Sequence, residues 1–182
     1  MNTGFMDAIK QRRSIYALGK NVTIERKRIE QVLQDSLLYV PSAFNSQSAR
    51  IVLLWDKESH RFWSLVKETL RPLVPEKDFS KTEAKLAAFD SGVGTILFFE
   101  DQEVVEKLMS AYALYKDNFP IWSLNSSGMV QFTVWTELEN LGLGASLQHY
   151  NPLVDEAVKK EWNLSESWKL WAQMPFGSVE AE

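Results

Sequence analysis

Apolar side chains recur along this chain with two periods, and the switches between them mark out the elements. Phe5 and Ile9, four apart and followed by Arg12, predict a first helix with Thr3 at its N-cap and an end near Ser14. Thr23 is placed to cap a second helix whose face is Ile29, Val32, Leu33 and Leu37, stopped by Pro41. Residues 42–48 read as a loop, and the unbroken apolar run of residues 51–55 as a buried strand. Residues 60–70 read as a helix. Ser80-Lys81-Thr82-Glu83 has the capping-box form ahead of Leu86 and Phe89, and Gly92 and Gly94 end that helix before a second strand at residues 95–99. Residues 103–115 return to helical spacing through Val105, Leu108, Met109 and Tyr112.

Asn125 or Ser126 is suited to cap a long helix carrying Met129, Phe132, Val134, Trp135, Leu138 and Leu141, with Gly142 as its C-terminal stop. This helix is apolar nearly all round, which suits the core or a subunit interface. Residues 145–148 read as a third strand, and Asn151-Pro152 as the start of a helix running through Trp162 with proline at its first position. A final strand is expected at residues 168–174. Without internal repeat, low-complexity tract or linker, the pattern implies one α+β domain over residues 1–182.

Composition narrows the chemistry. The chain has 20 Lys and Arg against 24 Asp and Glu, a net charge of −4 that gives no footing for a polyanion, so no nucleic-acid partner is expected. Cysteine is absent, which removes disulfides, thiolate nucleophiles, iron–sulfur clusters and Cys-bound zinc. Only His60 and His149 supply imidazoles, and neither has a metalloprotease-like spacing, so no metal site is expected. The first 13 residues are charged and lack the apolar core of a signal peptide, and no apolar run reaches the length of a membrane span. The expectation is a cytoplasmic protein with no membrane association. Positive charge gathers in the first 50 residues; Arg26, Lys27 and Arg28 read as a solvated helix face, whereas Arg12 and Arg13 stand where a helix stops.

Four segments could carry chemistry. Arg12-Arg13-Ser14 offers two guanidinium forks and a hydroxyl, the donors that suit a phosphate. Pro41-Ser42-Ala43-Phe44-Asn45-Ser46-Gln47 combines small residues with hydroxyl and amide groups suited to the polar edge of a flat heterocycle, although the residues alone favour the local bonds of a turn. The run from Gly142 through Gly144, Gln148, His149 and Tyr150 to Pro152 permits close backbone approach, but its glycines follow a helix, against the order of a dinucleotide fingerprint. His149 is open to two readings, a general base or a packed, hydrogen-bonded imidazole. Trp122 suits the wall of a ligand pocket, the other tryptophans the core. Ser14, Ser42 and Ser126 lack the G-x-S-x-G setting of a serine hydrolase.

Taken in order, Arg12-Arg13-Ser14, residues 41–47, Phe119-Pro120-Ile121-Trp122-Ser123 with Ser127-Gly128-Met129, and residues 142–152 resemble the FMN-dependent nitroreductases. Within them the resemblance is to the fatty-acid-repression-mutant branch, which includes copper-induced bacterial nitroreductases. It runs from the first helix to Met174-Pro175-Phe176-Gly177. The resemblance implies a homodimer of α+β subunits, each a mainly antiparallel sheet wrapped by helices, with two FMN sites in the dimer interface. It assigns Arg12, Arg13 and Ser14 to the FMN phosphate and ribityl chain. Pro41, Ser42, Ala43, Asn45 and Gln47 of the second subunit go to the isoalloxazine ring, and Gln148, His149 and Tyr150 to backbone donors near its reactive nitrogen. It implies NADH or NADPH as donor and a nitroaromatic or quinone as acceptor, with the flavin rather than a side chain carrying the chemistry.

Two features depart from relatives. A lysine shortly after the serine is replaced by Ile15 and Tyr16, and a basic residue near the C-terminus is missing where this sequence reads Glu180-Ala181-Glu182. The departures imply either a truncated chain or a phosphate held by fewer cations, with Lys81 and Lys85 as substitutes. Two rival functions keep the same motifs or dispense with them: a non-catalytic flavin sensor or store, and a structural dimer whose polar loops are turns.

Overall fold

The computed structural model describes residues 4–181. Among them are helices α1 (Phe5–Gln11), α2 (Arg26–Tyr39), α3 (Asp56–Leu70), α4 (Glu76–Asp90), α5 (Gln102–Ala111), α6 (Phe119–Asn140) and α7 (Asp155–Glu161). The strands are β1 (Ala17–Gly19), β2 (Ala49–Trp55), β3 (Gly94–Asp101), β4 (Gly144–Ala145) and β5 (Trp168–Ala181). Short 3-10 turns occupy Ala43–Asn45 and Ala113–Asn118. Every strand pair is antiparallel, in the order β1-β5-β3-β2 with β4 also on β5, so the expected α+β class and sheet type hold.

Strand β3 is central and buried along its whole length, which is why its middle, Ile96-Leu97-Phe98-Phe99, is unbroken apolar. Its alternation supplies two cores. Ile96 and Phe98 meet Ile29 and Leu33 of α2 and Val130, Val134 and Leu138 of α6. Leu97 and Phe99 meet Phe62, Trp63 and Val66 of α3, Leu86 and Phe89 of α4, and Val158 of α7. The chain is thus a sheet between two helical layers. Opposite the step from Phe98 to Phe99, β5 moves from Ala172 to Leu170, so Trp171 is the extra residue of a β-bulge.

Several boundaries differ from the sequence expectation. The proposed cap Thr3 lies outside the described residues, and α1 ends at Gln11 rather than near Ser14. Glu25, not Thr23, precedes α2, and Ser80 is interior to α4, which starts after Pro75. Helix α5 gives way to a 3-10 turn after Ala111. Helix α6 begins at Phe119, with Pro120 in its first turn, so Asn125 and Ser126 are interior; proline's preset φ is the start signal there. Residues 151–154 form a turn and α7 starts at Asp155, so Pro152 is no helix start. Strand β2 exists as expected but is the sheet edge, with only Leu54 fully buried. Gly142 does end α6: at φ +74 it lets Leu143 N–H reach Leu138 O (2.9 Å) and its own N–H reach Glu139 O (2.8 Å), the paired bonds of a Schellman cap.

Candidate functional site

Residues 12–14 follow α1 outside any helix or strand and are pinned where Ile15 N–H donates to Ala145 O (3.0 Å). Gly144 is needed at this crossing, because a Cβ there would meet Ile15 at 2.9 Å. The Arg12 guanidinium lies over the Trp135 ring at 4.2 Å, and its Nε is buried without a partner among the described residues. Arg13 Nη1 donates to Lys10 O (2.7 Å) and Arg12 O (2.9 Å), closing the C-terminus of α1 and leaving the rest of the fork exposed beside the exposed Ser14. Tyr16 packs on Phe89 (5.8 Å), and Lys85 Nζ lies 5.7 Å from the same ring, which brings Lys85 toward this segment.

Residues 41–48 are wound tightly. Asn45 N–H donates to Ser42 O (3.0 Å), Ser46 N–H to Ala43 O (3.1 Å) and Gln47 N–H to Ser42 Oγ (3.0 Å). Phe44, Asn45 and Gln47 all have left-handed backbones, φ 55, 50 and 49. The turn reading is therefore correct for the Ser42 oxygen and for the backbone, while the Asn45 and Gln47 side chains are presented to solvent. Phe44 stacks on Trp122 (5.9 Å, 16°) and meets Tyr112 and Phe119, so Trp122 is half-buried in an aromatic cluster that caps the loop. Ser126 Oγ donates to Pro41 O (3.3 Å), fixing the loop to α6.

Beneath the loop lies a carboxyl that sequence reading missed. Glu100 is fully buried; its Oε2 accepts from Ser48 Oγ (2.5 Å) and Ser123 Oγ (2.7 Å), and its Oε1 has no partner among the described residues. Burial pushes its pKa up, against the pull of both hydroxyls and of Arg50, itself paired with Asp101 at 3.0 Å. The available signal was an acid directly continuing the apolar run Ile96-Leu97-Phe98-Phe99.

At the third segment Gln148 N–H donates to Gln173 O (2.7 Å) and Tyr150 N–H to Gln173 Oε1 (2.7 Å). Of the three backbone donors expected here, the Gln148 and Tyr150 N–H groups are thus spent inside the chain. His149 N–H has no acceptor among the described residues. The His149 ring is exposed, which removes the packed-histidine reading. Tyr150 packs against Trp63 (5.9 Å), and burial, with Tyr16 nearby, pushes its phenol up to about 12.

The tie between Ile15 and Ala145 brings residues 12–14 close to the start of the 144–150 segment. The loop of residues 41–47 is elsewhere. Its anchor Ser126 and the Arg12 platform Trp135 are nine residues apart on α6, about 13 Å along the axis and on opposite faces at about 100° per residue.

Comparison with known proteins agrees with this architecture. The Nitroreductase family model matches residues 9–178. Nitroreductase FRM2 of Saccharomyces cerevisiae is 31% identical over 179 residues, covering 95% of this chain and 86% of FRM2. Nitroreductase CinD from Lactococcus lactis, solved in complex with chloramphenicol, is 47% identical and superposes with a TM-score of 0.90 over 98% of this chain and 91% of CinD. A nitroreductase with bound FMN from Desulfitobacterium hafniense shares the fold at 15% identity, with a TM-score of 0.72 over the whole of this chain and 92% of its own. With the family match spanning nearly the whole sequence, the chain belongs to the nitroreductase family, in the branch of FRM2 and CinD.

Proposed function

We propose that this protein is a cytoplasmic, FMN-dependent oxidoreductase that takes electrons from NADH or NADPH and passes them to nitroaromatic compounds and quinones. It acts as a homodimer with one flavin site on each side of the subunit interface. The observation that carries this reading is the placement of a cationic segment and a hydroxyl–amide loop on opposite faces of α6. One small ligand cannot lie against both within a chain, but two copies related by a twofold axis bring the cationic segment of each to the loop of the other. The apolar side chains Ile121, Leu124, Met129 and Phe132, exposed along α6, supply a surface for that pairing.

The residues present fit FMN. Among the described residues Arg12 has a buried Nε without a partner and a guanidinium over the Trp135 ring, Arg13 has the open part of its fork, and the Ser14 hydroxyl has no partner; together they would hold the phosphate and ribityl chain. Lys85 adds positive potential on the same side. From the second copy, Asn45, Gln47 and the Ser42 hydroxyl read the ring's imide edge, while Pro41 and Ala43 permit close approach. His149 N–H is the donor for the reactive ring nitrogen, and Trp122 walls the acceptor's position. When bound, FMN supplies the two-electron chemistry. The phenol of Tyr150 keeps its proton throughout the neutral range, so it holds position and moves no proton. CinD has also been solved with 4-nitrophenol, which supports a nitroaromatic acceptor here.

Heat-denatured protein is expected to release FMN in near-stoichiometric amount; FAD, or no flavin after reconstitution, overturns the reading. Steady-state oxidation of NADH or NADPH with a nitroaromatic should give parallel double-reciprocal lines, as donor and acceptor take turns at one ring face. Bound flavin without turnover would mean a sensor or store. The shared site is tested by differentially tagged heterodimers of the double variants R12A/R13A and S42A/N45A. One site then collects both defects and the other neither, so about one FMN per dimer and half of the activity return. No recovery rejects the shared site.

A further inference from the structure

Residues 170–176 of β5 are apolar or aromatic with one exception, Gln173, a carboxamide that is fully buried. A buried amide is costly unless it is hydrogen-bonded, and here both its oxygen and its nitrogen have a partner. The main chain of Gln173 exchanges two bonds with Gln148, N–H to O at 2.7 Å in one direction and 2.9 Å in the other. Its side-chain Oε1 accepts from Tyr150 N–H (2.7 Å), and its Nε2 donates to Asn151 Oδ1 (3.2 Å).

The side-chain carbonyl therefore acts as an added rung, extending the ladder to residue 150 where the backbone pairing of β5 with this segment has stopped. Successive N–H groups of an extended chain point to opposite edges. Fastening 148 and 150 to Gln173 therefore turns the N–H of 149 away from the sheet.

We propose that Gln173 is a positioning residue of the redox site: by gripping Gln148, Tyr150 and Asn151 it sets His149 N–H as a fixed outward donor to the flavin's N5. This role rests on the flavin reading above. It has a consequence that a purely structural amide lacks. N5 accepts a hydrogen bond in oxidised FMN but carries a hydrogen of its own in the reduced form, so a well-aimed donor favours oxidised over reduced flavin.

Two measurements separate this role from the flavin reading. In flavin-free Gln173→Met, which keeps the side-chain volume and loses both side-chain bonds, the Tyr150 amide should exchange with solvent at least about tenfold faster. The Gln148 amide, held by a backbone carbonyl, should change little. In the loaded protein, Gln173→Met should weaken binding of oxidised FMN about tenfold and leave reduced FMN within about twofold, so the midpoint potential rises. Asn151→Ala, which only releases the far end of the amide, should move the same ratio about threefold, and it gives a reading even if the Met variant folds poorly. An unchanged ratio of oxidised to reduced affinity in these variants, or unchanged Tyr150 exchange, overturns the role while leaving the flavin reading intact. A wild-type protein that takes up no FMN overturns both.

Discussion

The loop of residues 41–48 and the segment of residues 148–151 are built from the same kind of residue, hydroxyls and amides next to small or aromatic neighbours, yet they are anchored in opposite ways. The loop hangs from a buried acid, whose Oε2 is shared by Ser48 of the loop and Ser123 of α6, and three of its residues hold left-handed backbones. The 148–151 segment is stitched to a neutral amide whose oxygen and nitrogen each have a partner. A neutral anchor has no charge to desolvate and holds equally at any pH. The acidic anchor leaves one oxygen unpartnered among the described residues, so its strength depends on its proton. The difference teaches that one side of the proposed site is rigid by construction and the other conditional.

The largest effect is expected from Glu100→Ala. It strips the shared acceptor from two buried hydroxyls, leaves a void and disconnects loop, strand and helix, for a loss of about 2–4 kcal/mol in urea unfolding. A loss below that of a surface substitution would mean that the loop stands without its anchor. Next, Arg12→Ala should weaken FMN binding by about 1.5–3 kcal/mol. Arg13→Ala should cost less, since one nitrogen of its fork is already spent on α1 carbonyls, and Arg28→Ala, exposed on α2, should do nothing measurable by flavin titration. Equal effects at all three would replace a specific phosphate grip with general charge.

The pH prediction separates the two anchors most directly. The folded-state pKa of Glu100 lies above the 4.5 of the unfolded chain, so the folded protein holds the proton longer. Stability from this group is complete below pH 4.5 and is lost as pH rises through the folded pKa. Unfolding midpoints measured upward from pH 4.5 should fall in the wild type, flatten in Glu100→Gln and keep the wild-type slope in Gln173→Met. Burial also pushes the Asp155 carboxyl up, so a slope surviving in Glu100→Gln would transfer the dependence to Asp155. The smallest effect concerns the loop backbone: Asn45→Gly, at φ 50, should stabilise by at most about 1 kcal/mol, and more than that would mean asparagine is strained there.

How much of this was legible in the sequence follows the range of the forces involved. Periodicity, proline and glycine act over a few residues, and they gave β2, β3, most of α2 and α3, and the end of α6 at Gly142. Where two local signals competed, the weaker one misled: Ser80 has a capping-box spacing, but Pro75 and an acidic first turn start α4 earlier. The donor types of residues 12–14 and 41–47 were equally readable, because guanidinium, hydroxyl and amide chemistry belongs to the side chain itself. Only the tertiary structure decided which donors remain free. The bond between Ser48 and Glu100 spans 52 residues and that between Tyr150 and Gln173 spans 23, so no window along the chain could reveal that one acid and one amide organise the two limbs. Burial is a property of the neighbours that the fold brings together. The same distance made β2 an edge strand despite its apolar run, and set Arg12 and the 41–47 loop on opposite faces of one helix.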